Sequence, residues 1–210
     1  MKKVLPILIL SLLLVQACVD NEQRQTVSED VQLIDTAKLI KTGVEVAMST
    51  FGVLSKELQQ AMKEGGVQKA VPYCNINALP IADSLSEEFG VVIRRVTDKP
   101  RNPADTMNQV ESEVFASFTK AVNENGSTRP TVVDVQDGAY FFAPILLQEF
   151  CQKCHGTPGE QISEEDYALI KELYPDDKAI GYKPGQLRGM WSIYYPEDKV
   201  PYKSEEKVIE

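Results

Sequence analysis

The chain has 210 residues, 43% of them hydrophobic and 25% charged, which suits one domain with a real core and excludes a compositionally disordered chain. Its 31 acidic residues outnumber 22 basic ones, for a formal net charge of −9. That balance excludes the cationic footprint by which proteins hold nucleic acid.

Lys2 and Lys3 precede an apolar run from Val4 to Val15. The run is shorter than the roughly 20 residues of a membrane-spanning helix and reads as a secretion signal. Leu14-Val15-Gln16-Ala17-Cys18 resembles the bacterial lipoprotein processing box, although Gln16 is unusual there. The expected organisation is a signal peptide over 1–17, then lipidation of Cys18 and a polar tether over 18–27. The mature protein, with a net charge of −11 once Lys2 and Lys3 are gone, would be anchored by Cys18 on the periplasmic side of a bacterial membrane. The alternative is a plain signal cleaved nearby.

Ser28, Glu29 and Asp30 suit a helix start. Apolar residues recur at spacings of mainly three or four from Val31 to Ala61, so the pattern predicts an amphipathic helix to Lys63, stopped at Gly65-Gly66. Such a helix is roughly 50 Å long. It would serve as a stalk, a brace or the face of a homodimer. Pro72 and Pro80 break the pattern over Val71–Leu79, and a short helix over Ile81–Phe89 ends at Gly90. Val91–Val96 has strand propensity, Lys99–Thr106 is loop, and Glu111–Asn123 is a helix stopped near Gly126. Thr131–Val135 and Tyr140–Leu147 form a hairpin about Asp137-Gly138. Ser163 opens a helix ended by Pro175, Tyr182–Gly185 is a turn, and Leu187–Tyr195 is the last strand. The order predicts an α+β domain with an antiparallel sheet over 28–196, followed by a charged tail over 197–210 that frays.

Between hairpin and helix stands Cys151-Gln152-Lys153-Cys154-His155, the CxxCH attachment motif of c-type haem. Two thiols reach the two vinyl positions of one porphyrin, and the adjacent histidine, the only one in the chain, reaches the iron. One covalently attached haem c is the expected cofactor. The same residues permit a disulfide or thiol redox pair, a Cys3His zinc site with Cys74, or inert cysteines. Candidates for the second axial position are Cys74, Met48, Met62, Met107 and Met190. Methionines are commonly core filler, and Cys74 is otherwise an odd cysteine, so the residues favour Cys74 slightly.

Further segments carry a resemblance. They are Tyr73-Cys74-Asn75, Ile93-Arg94-Arg95-Val96-Thr97, Lys99-Pro100-Arg101-Asn102-Pro103, the CxxCH motif with Gly156, and the run from Gly181 to Ser192. With these the chain resembles the Tll0287-like haem-binding domain family over roughly residues 30 to 196. The resemblance implies a PAS-like antiparallel sheet with flanking helices and a long N-terminal helix. It also implies a c-type haem with His155 and Cys74 as the axial pair. Arg94, Arg95, Arg101 and Arg188 are candidates for the haem propionates, or ordinary surface arginines. Tyr73, Phe141, Phe142 and Trp191 pack on the porphyrin or in the core.

Three functions follow. An electron carrier or redox-responsive protein ranks first, working with an unknown redox or signalling protein. A haem-based gas or redox sensor acting through a partner ranks second, the long helix transmitting the change. An enzyme such as a peroxidase ranks last, because the single histidine is spent on the iron.

Overall fold

The computed structural model describes residues 32–203. The signal, Cys18, the tether and the expected helix start at Ser28 lie outside the described residues. The domain is α+β, with four antiparallel strands in the order β1-β4-β3-β2. They are β1 (Val92–Val96), β2 (Thr131–Val135), β3 (Gly138–Leu146) and β4 (Leu187–Pro196).

The long N-terminal helix α1 (Thr36–Phe89) starts at Asp35, whose carboxylate caps the Lys38 N–H at 3.0 Å. It breaks at Gly65 and Gly66. Gly66 has φ 64° and ψ −152°, a conformation open essentially to glycine alone. The break turns the chain back. The Tyr73 hydroxyl donates to Glu57 Oε2 at 3.0 Å, whereas 16 residues of continuous helix would put their backbones about 24 Å apart. α1 is therefore a hairpin, with an outgoing arm over 36–64 and a return arm over 67–89. The stop at Gly65-Gly66 agrees with the sequence reading, but the interruption expected after it does not occur. Pro72 and Pro80 lie inside the return arm. Each removes one backbone donor without ending the helix, because the arm is fastened along its length by packing.

Both arms press on one face of the sheet. Leu39, Val46 and Ala47 of the outgoing arm and Leu85 of the return arm bury Ile93, Phe141, Trp191 and Ile193. A Cβ at Gly43 would stand 2.3 Å from the Phe141 ring, so a glycine is needed where helix and sheet approach most closely. On the opposite face α2 (Gln109–Asn125) buries Phe115, Phe118 and Val122 against Val96, Phe142 and Met190. A third cluster joins Val67 and Val71 of the return arm to Ile162 and to Ile170 of α4 (Glu164–Leu173), with Cys154 packed against it.

The expected first helix takes in residues 32–35, but these are not helical: Ile34 bridges to Tyr202 and the helix starts only at Thr36. The remaining expected elements differ by a residue or two at their ends, except at the tail. Val200 is buried, the Asp35 N–H donates to Pro201 O at 2.7 Å, and the Lys203 N–H donates to Leu33 O at 2.8 Å. Residues 200–203 thus close the domain rather than fray.

Candidate functional site

The chain after β3 enters a 3-10 turn (Glu149–Cys151) and then α3 (Gln152–His155), a short helix the sequence reading left unassigned. Helical backbone is what the motif's chemistry requires. Residues three and four apart share a face, so the Cys151 and Cys154 thiols and the His155 imidazole project together.

Backbone hydrogen bonds tie this turn to the segment before β4. The His155 carbonyl accepts from the Tyr182 N–H at 2.9 Å, and the Gly156 carbonyl from the Gly181 N–H at 2.8 Å. A Cβ at Gly156 would come within 2.7 Å of the Gln152 carbonyl oxygen, so the residue after the histidine has to be small.

His155 Nδ1 lies 2.8 Å from the carbonyl oxygen of Ala179. A carbonyl only accepts, so Nδ1 carries the proton and Nε2 keeps its lone pair. Burial, followed by the charges of Arg188 and Arg101, holds the imidazole pKa well below its ordinary value. The ring is therefore neutral, with a bare Nε2, as a metal ligand must be.

Cys74, Cys151 and Cys154 are all free thiols. Burial is the main influence on two of them. It pushes Cys154 up to about 11 and raises Cys74, opposed at Cys74 by Arg95 and Arg101. Among the described residues no three His, Cys, Asp or Glu side chains converge to hold a metal ion, which counts against the Cys3His zinc alternative.

The return arm carries Cys74 to this end of the sheet. Cys74 is near enough to influence the titration of Cys154, and the same Arg95 and Arg101 influence both Cys74 and His155. The methionine candidates separate. Met48 is exposed on the outgoing arm, while Met107 and Met190 pack with α2 across the sheet. Met62 alone packs in the cluster that includes Cys154.

The four arginines have different fates. Arg94 is not at the site. Strand alternation turns it to the α2 face, where its guanidinium donates to both oxygens of buried Glu111 at 2.8 and 2.9 Å and to Thr106 O at 2.7 Å. Arg95, one residue on, points to the α1 face and meets Asp105 at 3.3 Å. Arg101 forks onto Asp177, with two bonds of 3.1 Å. Arg188 sits at the irregularity where β3 and β4 slip register between Ile145 and Leu146. Its charge reaches His155, and burial lowers its own pKa to about 10. It donates to Thr97 Oγ1 at 3.2 Å, while its Nε and the neighbouring Tyr182 hydroxyl are buried with no partner among the described residues. Phe141, Phe142 and Trp191 are core residues on the two faces of the sheet, and Tyr73 is spent on Glu57.

Asp177 and Ala179 were not singled out in the sequence. Asp177 Oδ1 accepts from the Ala179 N–H at 2.9 Å, a local turn that an Asp in a loop after Pro175 could have suggested. Ala179 acts only through its backbone, which side-chain chemistry does not reveal.

Comparison with known proteins places this geometry. The crystal structure of the cyanobacterial heme-protein Tll0287 superposes with a TM-score of 0.55 at 25% identity, covering 77% of this chain and 94% of that one. No curated protein matches the chain. The Tll0287-like family model matches residues 15–196. The match spans most of the sequence, and the chain belongs to the Tll0287-like family.

Proposed function

We propose that this protein carries one haem c, attached through Cys151 and Cys154 and ligated by His155 and Cys74, and serves electron transfer or redox response outside the cytoplasm. The observation that carries this reading is the His155 ring, kept neutral by burial and oriented by Ala179 so that Nε2 is bare, on the same helical face as two unpaired thiols. Membership of a family whose structural neighbour is a heme-protein supports it.

The residues fit the group. Cys151 and Cys154 each add S–H across one vinyl, sulfur to one carbon and hydrogen to the other, so attachment consumes no oxidant. Arg188 and Arg95 are the residues for the propionates. Arg188 is a buried guanidinium with no carboxylate partner among the described residues, and its Nε and the Tyr182 hydroxyl are donors left without an acceptor there. Arg94, occupied by Glu111, is left out. Bound here, the iron would supply one-electron chemistry. Cys74 as thiolate would stabilise the oxidised state, and His155 would hold its place in both states.

A second reading rests on Cys74. Burial raises its pKa and favours the protonated thiol, and it rides on an arm whose later turns pack on the sheet through Leu85. Release of Cys74 on reduction or gas binding would make the hairpin the moving part of a sensor. Either role would bring a redox or signalling protein to an anchored domain, with Cys18 the anchor.

The test is the full chain expressed in a host with haem c maturation. Denatured protein should keep one haem by mass and lose it when Cys151 and Cys154 are both changed to Ser. Cys74→Ser should alter the oxidised spectrum without loss of covalent haem; an unchanged spectrum removes Cys74 from the iron. A reduced spectrum indifferent to carbon monoxide favours electron transfer, and carbon monoxide binding with ligand loss favours the sensor. A colourless protein overturns the haem reading.

A further inference from the structure

Arg101 and Asp177 form a clamp behind His155 that no step above uses. Arg101 is 10% exposed and Asp177 is fully buried, and their fork is closed by two parallel bonds of 3.1 Å. Each partner has a second task. Arg101 Nη2 donates to the Cys154 carbonyl at 2.5 Å, the peptide oxygen just before His155, and lies 3.5 Å from the Ala179 oxygen. Asp177 Oδ1 takes the Ala179 N–H at 2.9 Å. The Ala179 carbonyl receives the His155 Nδ1 proton at 2.8 Å. The Lys178 N–H donates to Pro100 O at 3.1 Å, which fastens the two loops a second time. One ion pair therefore holds the peptide that carries the imidazole and the residue whose carbonyl orients it.

We propose that Arg101 and Asp177 are positioning residues that set the orientation, tautomer and donor strength of His155. The inference rests on the haem reading for its consequence, not for its geometry. The clamp holds the Ala179 carbonyl where the Nδ1 proton meets it, so its loss frees the ring to turn and take the other tautomer. The positive charge of the guanidinium close to the ring also makes the imidazole a poorer electron donor. Asp177 moderates the effect by drawing the cation back. Removing either partner should then shift the potential of a bound haem in opposite senses. Loss of the cation strands a carboxylate near the iron and favours the oxidised state. Loss of the carboxylate leaves the cation unopposed and favours the reduced state.

The test uses the full chain in two forms. His155 is the only histidine, so ring nitrogen NMR of haem-free protein reads one tautomer equilibrium without assignment. The wild type should show the Nδ1–H form, and Arg101→Gln should raise the Nε2–H population several-fold. With haem attached, the midpoint potential should fall in Arg101→Gln and rise in Asp177→Asn. The double variant, an amide pair of similar shape, should return towards wild type. General loosening of the fold would move both single variants the same way, and that result, or an unmoved tautomer, overturns the proposal. If Arg101→Gln does not fold, Arg101→Lys replaces it. It keeps the charge but not the fork, and should raise the Nε2–H population while leaving the potential close to wild type. A tautomer shift in a chain that takes up no haem would uphold the clamp and sink the haem reading separately.

Discussion

Arg94 and Arg95 are neighbours of the same type with opposite duties. The strand pleat sends Arg94 to Glu111 on the α2 face and Arg95 to the face shared with Cys74 and His155. Glu111 is fully buried, accepts the Asn108 N–H at 2.7 Å to complete the cap of α2, and takes the Arg94 fork. Glu111→Gln should therefore cost about 3 kcal/mol, read from the urea midpoint, and leave the holo spectrum alone. Arg95→Gln should do the reverse. Arg95 is half exposed, so stability should hardly change while the midpoint potential of attached haem falls. Equal stability losses from both would mean that the faces had been misassigned. The sequence offered both arginines as equals. Only the register of β1 against β4 separates them, and register is a property of two strands.

At the scale of elements, the helix α2, the strands and the Asp137-Gly138 hairpin were legible because period and turn chemistry agreed there. The CxxCH motif stood out for a different reason, as three reactive side chains at fixed spacing suggest a chemistry without help from the fold. The first half of the return arm, 67–80, was not legible, although its end over Ile81–Phe89 was. Two prolines argued against a helix locally, and the long-range packing of Val67, Val71 and Leu85 overrode them. That packing also carries Cys74 towards Cys154, so sequence pattern alone could nominate Cys74 as a candidate but not place it there. The turn itself depends on Gly66. Gly66→Ala forces a side chain into a positive-φ conformation and should cost about 1–3 kcal/mol, measured by thermal unfolding. The loss should be larger in holo than in apo protein if the return arm presents Cys74 to the iron. Gly43→Ala tests the other contact of the hairpin. It should cost a similar amount, about 1–3 kcal/mol by urea unfolding, because the added methyl meets the Phe141 ring.

In the whole molecule, two sheet faces are closed by separate helices, and the site sits where the return arm, the CxxCH turn and the segment before β4 meet. The chain also fastens its own ends. Ile34 pairs with Tyr202, and two backbone bonds join 33–35 to 201–203. Ending the chain at Lys199 would remove both bonds and the burial of Val200, so unfolding should need about 2–4 kcal/mol less. Urea denaturation checks this. The same pairing has a topological consequence. The path from 33 to 203 is almost a closed ring, with only a short gap to seal. A circular permutant that joins 203 to 33 by a short linker and opens the chain at the exposed turn over 127–129 should fold to the same sheet and accept the same cofactor.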